Sequence, residues 1–182
     1  MITASIVTYN TSPELLQTVI GCAANSIIDR IYVIDNSSEP IVGDFARCLS
    51  PKVEYIHGQG NVGYGTAHNI AIRRAMAVEA EYHIVLNPDI QFNPDDIRKM
   101  ADYMNCHSDV GWLMPRVVYP DGRLQYLCKL LPTPMDLIGR RFLGFLPFIK
   151  KRDYHFELRD SEYNREIAPP FCSGCFMFLR TV

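Results

Sequence analysis

The chain has 182 residues, and at about 150 residues per domain it is expected to fold as one domain. Apolar residues make up 48% and charged residues 21%, a globular composition that excludes intrinsic disorder and fibrous repeats. Lys and Arg total 18 against 20 Asp and Glu, for a net charge of −2. That balance argues against a nucleic-acid partner, which calls for a basic excess or stripe.

In chain order, Ser5-Ile6-Val7-Thr8-Tyr9 reads as a first strand. Ser12-Pro13-Glu14 then supplies a helix N-cap followed by proline at the first helical position. The helix it opens carries Leu15, Leu16, Val19 and Ile20 at helical spacing. Ile31-Tyr32-Val33-Ile34 is a second strand, ending in Asp35-Asn36-Ser37-Ser38. Val53-Glu54-Tyr55-Ile56 is a third, ending in a glycine-rich loop from Gly58 to Gly65, and a helix through Ile70, Ile72, Ala75 and Met76 follows. Tyr82-His83-Ile84-Val85-Leu86 is the fourth strand, stopped by Asn87-Pro88-Asp89, and Asn93-Pro94 caps a helix through Ile97, Met100 and Tyr103. Beyond it, 112–119 and 124–131 flank the turn Pro120-Asp121-Gly122-Arg123 and are expected to pair as a hairpin. Near the end, the run around Phe176-Met177-Phe178 reads as a strand. Strands alternating with helices predict an α/β fold: a mostly parallel sheet with helices on both faces, plus the hairpin in the second half.

The N-terminus moves directly into a strand, with no charged region, apolar stretch and small-residue cleavage site, so a cytoplasmic location is expected. Six cysteines (Cys22, Cys48, Cys106, Cys128, Cys172, Cys175) sit mostly among apolar neighbours and are read as reduced and mainly buried. Cys172-Ser173-Gly174-Cys175 has redox or zinc half-site spacing, but no second ligand pair accompanies it. Two core thiols are the better reading.

Polar residues collect where strands end: Thr8-Tyr9-Asn10, Asp35-Asn36-Ser37, the glycine loop, and Asn87-Pro88-Asp89. In an open parallel sheet these four share one carboxyl edge, where the ligand crevice of doubly wound folds lies. Acids, amides and a flexible backbone beside a helix N-terminus suit a sugar nucleotide. Gly58-Gln59-Gly60-Asn61-Val62-Gly63 matches the dinucleotide fingerprint, but it follows the third strand rather than the first. The acid expected to end the next strand is also missing, so nucleotide redox is the weaker reading.

Taken in order, Ser5-Ile6-Val7-Thr8-Tyr9-Asn10, Val33-Ile34-Asp35-Asn36-Ser37-Ser38, Asn61-Val62-Gly63-Tyr64-Gly65 with Asn69, and Leu86-Asn87-Pro88-Asp89 resemble family 2 glycosyltransferases. Pro115-Arg116 before the turn and Ser173-Gly174-Cys175-Phe176-Met177 are similar to the rhamnosyltransferase-like branch of bacterial O-antigen and polysaccharide synthesis. The resemblance implies a GT-A fold, a nucleotide-diphosphate sugar donor (dTDP- or UDP-linked, rhamnose among the sugars), and transfer with inversion to a saccharide or polyprenyl-linked acceptor. It divides the single domain into a sugar-nucleotide-binding half, 1–106, and an incomplete acceptor-side half, 107–182.

Carried over by residue, Thr8, Tyr9 and Asn10 would line the base and ribose pocket, and Asp35 would take the ring N–H of uracil or thymine. Asn61 and Gly63 would lie along the nucleotide, with Asn69 closing the pocket. Asn87 and Asp89 would stand in for the usual Asp-x-Asp, with Asp89 the carboxylate for Mg²⁺ or Mn²⁺. One carboxylate suffices where phosphates complete the shell. The competing readings are an Asx-turn or cap for Asp35 and a turn-forming role for Asp89.

The family's catalytic base, a carboxylate after the strand entered at Ser173–Met177, is not found by Val182. No base is therefore named, and the chain is expected to be a nucleotide-binding core cut short of its catalytic end. Two further classes stay open. A nucleotidyltransferase would share the crevice but normally carries a glycine-rich loop with Arg and Lys after strand one, absent here. A non-catalytic nucleotide-sugar-binding or regulatory module would keep the donor motifs alone. The stretch 137–152, apolar and ending in Lys150-Lys151-Arg152, suits either a core helix with a basic end or peripheral contact with the inner face of the plasma membrane.

Overall fold

The computed structural model describes residues 1–40, 42–133 and 146–181. They form two compact units, one of residues 1–114 with 174–182 and one of residues 115–173. The first unit is built on a six-stranded sheet of order β3-β2-β1-β4-β8-β5. β1 (Ile2–Thr8), β2 (Arg30–Asp35), β3 (Val53–Ile56) and β4 (Tyr82–Leu86) are parallel. β8 (Phe176–Arg180) runs antiparallel to β4, and β5 (Trp112–Leu113) antiparallel to β8. The α/β expectation and its four parallel strands hold, and the C-terminal aromatic run is indeed a strand.

Local chemistry explains the helices. Ser12 caps α1 (Pro13–Ala24) with its side chain, and Asn93 caps α4 (Pro94–Cys106) through a 3.0 Å bond to the Asp95 N–H. Both have proline in the first turn, where the missing N–H costs nothing. α3 (Tyr64–Ala77) starts at Gly63, whose φ of +82° suits glycine. A fourth helix, α2 (Gly43–Leu49), escaped the sequence reading because it is short and has no side-chain cap. Gly43 lets it approach the sheet: a Cβ there would sit 2.8 Å from the Tyr55 ring.

Because strand side chains alternate, β1 feeds two cores. Ala4 and Ile6 join Ile31, Val33, Ile84 and Leu86 against Leu16, Val19 and Ile20 of α1 and Ile97, Met100 and Met104 of α4. Leu15, placed in the stripe by spacing, is 44% exposed. On the opposite face Val7, Tyr32 and Ile34 meet Ala67 and Ala71 of α3. Met76, counted as apolar stripe, is exposed, since small alanines rather than the longer side chains make that face.

The α3 face also holds a buried polar chain. Thr3 Oγ1 lies 2.8 Å from His83 Nδ1, His83 Nε2 lies 2.8 Å from Ser5 Oγ, and Ser5 Oγ lies 2.7 Å from His68 Nδ1. Burial lowers the His68 pKa to about 4, and burial together with His68 lowers that of His83 to about 3. Both rings are neutral in the folded protein at neutral pH.

The second unit opens with the Pro120–Arg123 turn, where Tyr119 N–H meets Arg123 O at 2.7 Å and Val118 bridges Leu124. The hairpin expected over 112–131 is confined to that neighbourhood. Its outer arms pair elsewhere: β5 with β8, and β6 (Cys128–Lys129) with β7 (Phe171–Cys172). α5 (Pro147–Phe156) and a 3₁₀ turn (Arg159–Ser161) complete the described part.

Cys172 faces Cys128, Sγ to Sγ 3.9 Å. The reading of mainly buried thiols needs correction, because Cys48 and Cys106, on the outer ends of α2 and α4, are exposed. Residues 137–145 of the proposed membrane-facing stretch lie outside the described residues. Among the described residues no helix is long and apolar enough to cross a membrane.

The buried histidines set a pH dependence. Both folded pKa values lie below the ordinary value of 6.5, so below that pH the unfolded chain binds protons the folded chain refuses. Stability is complete above about pH 6.5 and declines as pH falls towards 4, by up to about 1.4 kcal/mol per unit for each histidine. Urea midpoints measured from pH 7 to pH 4 check this. His68→Asn, which keeps a polar atom near the Nδ1 position, is expected to give a shallower decline than the parent chain.

Candidate functional site

The order of the strands locates the site. From β1 the chain lays down β2 and β3 on one side, then α3 carries it back so that β4 pairs on the other side of β1. The carboxyl ends of β1 and β4 flank this reversal, where open α/β sheets leave a crevice for ligand. Thr8–Asn10 and Asn87–Asp89 stand at those two ends, with Asp35–Ser37 and the start of α3 beside them.

The floor is buried and internally bonded. Thr8 pairs in register with Asp35, and its buried hydroxyl lies close enough to help hold the Asp35 carboxyl low. Asp35 is wholly buried; one carboxylate oxygen accepts the Ser37 N–H at 2.9 Å and the other the Tyr55 hydroxyl at 2.5 Å. The bond to Ser37 is the Asx-type contact that competed with a binding role. Burial pushes the Asp35 carboxyl up, but hydrogen bonds from Ser37 and Tyr55 outweigh it and hold the group below its ordinary range. Gln59 Nε2 donates to Asp35 O at 2.7 Å, fastening the glycine-rich loop to the end of β2.

The rim is open. Tyr9 is 58% exposed, and Asn10, at φ +50°, donates its N–H to Ser37 Oγ at 2.8 Å. Asn61 accepts the Gly63 N–H at 3.2 Å, shaping the turn into α3. Asn69 is exposed on the second turn of α3, and the structure brings it into no hydrogen bond with the other candidates.

The β4 end differs in kind. Asn87 is half-buried; its N–H donates to Cys175 O at 2.9 Å, and its side-chain amide lies 2.8 Å from the Tyr64 hydroxyl. Asp89 is exposed and, among the described residues, has no hydrogen bond or ion pair. Its carboxylate therefore does not make the turn-forming bond that was the competing reading. Among the described residues no cluster of three or more His, Cys, Asp or Glu could hold a metal alone. The donor set is one carboxylate and one amide, hard groups that fit Mg²⁺ or Mn²⁺ whose remaining ligands are phosphate oxygens and water.

Sequence reasoning assigned no role to Tyr55, Gln59 or Tyr64. Tyr55 and Gln59 are distant from Asp35 in sequence and meet it only through the fold. Tyr64 was visible, directly after Gly63, but its reach to Asn87 and to Gly174 O, 2.7 Å away, is a tertiary fact. Burial, with the charges of Cys175 and Asp89, raises the Tyr64 pKa to about 12, so its hydroxyl keeps its proton.

Comparison with known proteins identifies the family. The chain is 28% identical over 131 residues to the low-salt glycan biosynthesis hexosyltransferase Agl10 of Haloferax volcanii, covering 71% of this chain and 40% of that protein. It is 29% identical over 136 residues to the N-acetylglucosaminyl-diphospho-decaprenol L-rhamnosyltransferase of Mycobacterium tuberculosis, covering 70% of this chain and 44% of that protein. The chain thus spans less than half the length of these curated relatives. Among solved structures, TarS of S. aureus in complex with UDP-GlcNAc superposes with a TM-score of 0.53 at 19% identity, over 74% of this chain and 37% of that one. The mannosyltransferase PcManGT of Pyrobaculum calidifontis, in complex with GDP-Man and Mn²⁺, does so with 0.55 at 18% identity, over 66% and 36%. Both neighbours share the GT-A fold. The model of the family described as glycosyl transferase family 2 matches residues 3–182, and the chain belongs to that family.

Proposed function

We propose that this chain binds a nucleotide-diphosphate sugar, dTDP- or UDP-linked, at the β1–β4 crevice, as the donor part of an inverting glycosyltransferase. The observation that carries the proposal is the contrast between the two ends of that crevice: a buried polar floor at Thr8 and Asp35, and an exposed Asp89 carboxylate with no hydrogen bond or ion pair among the described residues. Thr8 and Asp35 bind base and ribose, the exposed Tyr9 ring offers a stacking face, and Asn10, Asn61 and Gly63 border the nucleotide with Asn69 at its outer edge. Asp35 keeps lone pairs beyond its two internal donors, since a carboxylate has about four acceptor positions. Because Asp35 has no exposed surface, reading the base requires the Tyr55 ring or the loop after β2 to give way.

Asp89 holds the divalent cation, Mg²⁺ or Mn²⁺, with Asn87 beside it. When bound, such a cation stabilises negative charge developing on the leaving diphosphate. In the proposed transfer, an acceptor hydroxyl attacks the anomeric carbon opposite the diphosphate. The sugar–phosphate bond breaks with its electron pair on the diphosphate oxygen, and the acceptor proton passes to a base. Of the late acids, Glu157 is paired with Arg159 and Asp160 with His155, and none is assigned as that base. The name of the mycobacterial relative supports rhamnose as the sugar and a polyprenyl-linked saccharide as the acceptor.

Calorimetric titration of the full chain with UDP and dTDP, with and without Mn²⁺, tests the donor site. Binding is expected to tighten with Mn²⁺, and Asp89→Ala is expected to remove that gain while leaving the metal-free affinity. No binding by the parent chain, or a gain that survives Asp89→Ala, would sink the reading. Tyr55→Phe is expected to cost about 1–3 kcal/mol of stability, by taking a donor from a buried carboxylate. The same change is expected to tighten nucleotide binding by freeing the Asp35 oxygen. Looser binding would show that Asp35 serves the fold alone.

A further inference from the structure

Three chain segments meet at one phenol. Tyr64, the first residue of α3, places its hydroxyl 2.8 Å from the atom set as Asn87 Oδ1, just past the end of β4. The same hydroxyl is 2.7 Å from Gly174 O, just before β8. A phenol has one proton, so it cannot donate to two acceptors at once. Gly174 O can only accept. The Asn87 amide can present either end, because its oxygen and nitrogen are interchangeable in position and are assigned by the bonds around them. Both contacts of the phenol are satisfied once the amide is turned over from that placement: Asn87 Nδ2–H donates to Tyr64 Oη, and Tyr64 O–H donates to Gly174 O.

We propose that Tyr64 is a positioning residue that turns the Asn87 amide so that its oxygen, and not its NH₂, is left free beside Asp89. The other terminal atom of that amide has no hydrogen bond among the described residues, and it sits two residues from the unpartnered carboxylate. With oxygen outward, Asn87 offers a neutral ligand to a cation. With NH₂ outward, it would present two N–H dipoles to a cation and oppose its binding. One phenol hydroxyl thus decides the sign of the charge presented there, and the β8 carbonyl decides where that hydroxyl's proton goes. This inference rests on the donor-site reading for its consequence but not for its geometry.

Two experiments separate those parts. In the ligand-free protein, a nuclear Overhauser contact is expected between the Asn87 side-chain NH₂ protons and the Tyr64 ring protons next to the hydroxyl. Its absence would overturn the amide orientation whatever nucleotides do. By calorimetry, Tyr64→Phe is expected to reduce the Mn²⁺-dependent gain in UDP affinity by about 10-fold, the usual scale for groups that orient a metal ligand. The metal-free affinity is expected to stay unchanged. Adding Asn87→Asp to Tyr64→Phe is expected to restore the gain, since a carboxylate presents oxygen whichever way it turns. An undiminished gain in Tyr64→Phe, or no recovery in the double variant, would overturn the positioning role. A parent chain with the expected nuclear Overhauser contact but no UDP binding would instead overturn the donor-site reading.

Discussion

The structure depends on the parallel pairing of β1 with strands on both of its edges. All seven residues of β1 are buried, which a strand tolerates only when both backbone edges are bonded and both faces are covered. Register follows, because a slip of one residue would exchange its two faces and bury the wrong side chains. That register sets Thr8 opposite Asp35 and Ile6 opposite Leu86, so the polar ends of β1, β2 and β4 finish at one edge. The crevice is thus a by-product of how the sheet must pair.

The faces of β1 differ in chemistry. One packs against α1, α2 and α4 with aliphatic side chains. The other carries Thr3 and Ser5 beneath α3, where two neutral histidines complete their hydrogen bonds. A buried polar strip is costly if any member lacks a partner, and it fixes one arrangement when nearly all have one. Here it lies under the helix whose first residue, Tyr64, reaches the β4 end. His68 also packs edge-on against the Tyr64 ring, with centroids 4.4 Å apart. Polar satisfaction in the core and geometry at the rim are therefore carried by one helix.

Across the crevice, the two candidate carboxylates have opposite settings. Asp35 takes an internal donor on each oxygen and helps to hold Tyr55 and the loop after β2 in place. Asp89 is exposed and bonded to nothing among the described residues. Both stand at the carboxyl ends of parallel strands and both are Asp, so local sequence treats them alike. Only their neighbours distinguish a carboxylate that serves the fold first from one that is free for a ligand.

Much was legible in the sequence because it is encoded locally. Strand ends, the Ser12 and Asn93 caps, the proline starts and the glycine at the head of α3 each depend on a few adjacent residues, and the ordered motifs pointed to the right family. What escaped depends on long-range packing. α2 is held by contact with Tyr55 rather than by a cap, and the arms of the expected hairpin found better partners in β7 and β8. The alanine face of α3 outranked its longer apolar residues because a helix lying close on a sheet favours small ones. By itself the sequence determined which residues could bind and in what order they occur. The tertiary structure alone decided which of them are already occupied, because a donor's partner is chosen by distance in space, and Tyr64 meets Gly174 across 110 positions of chain.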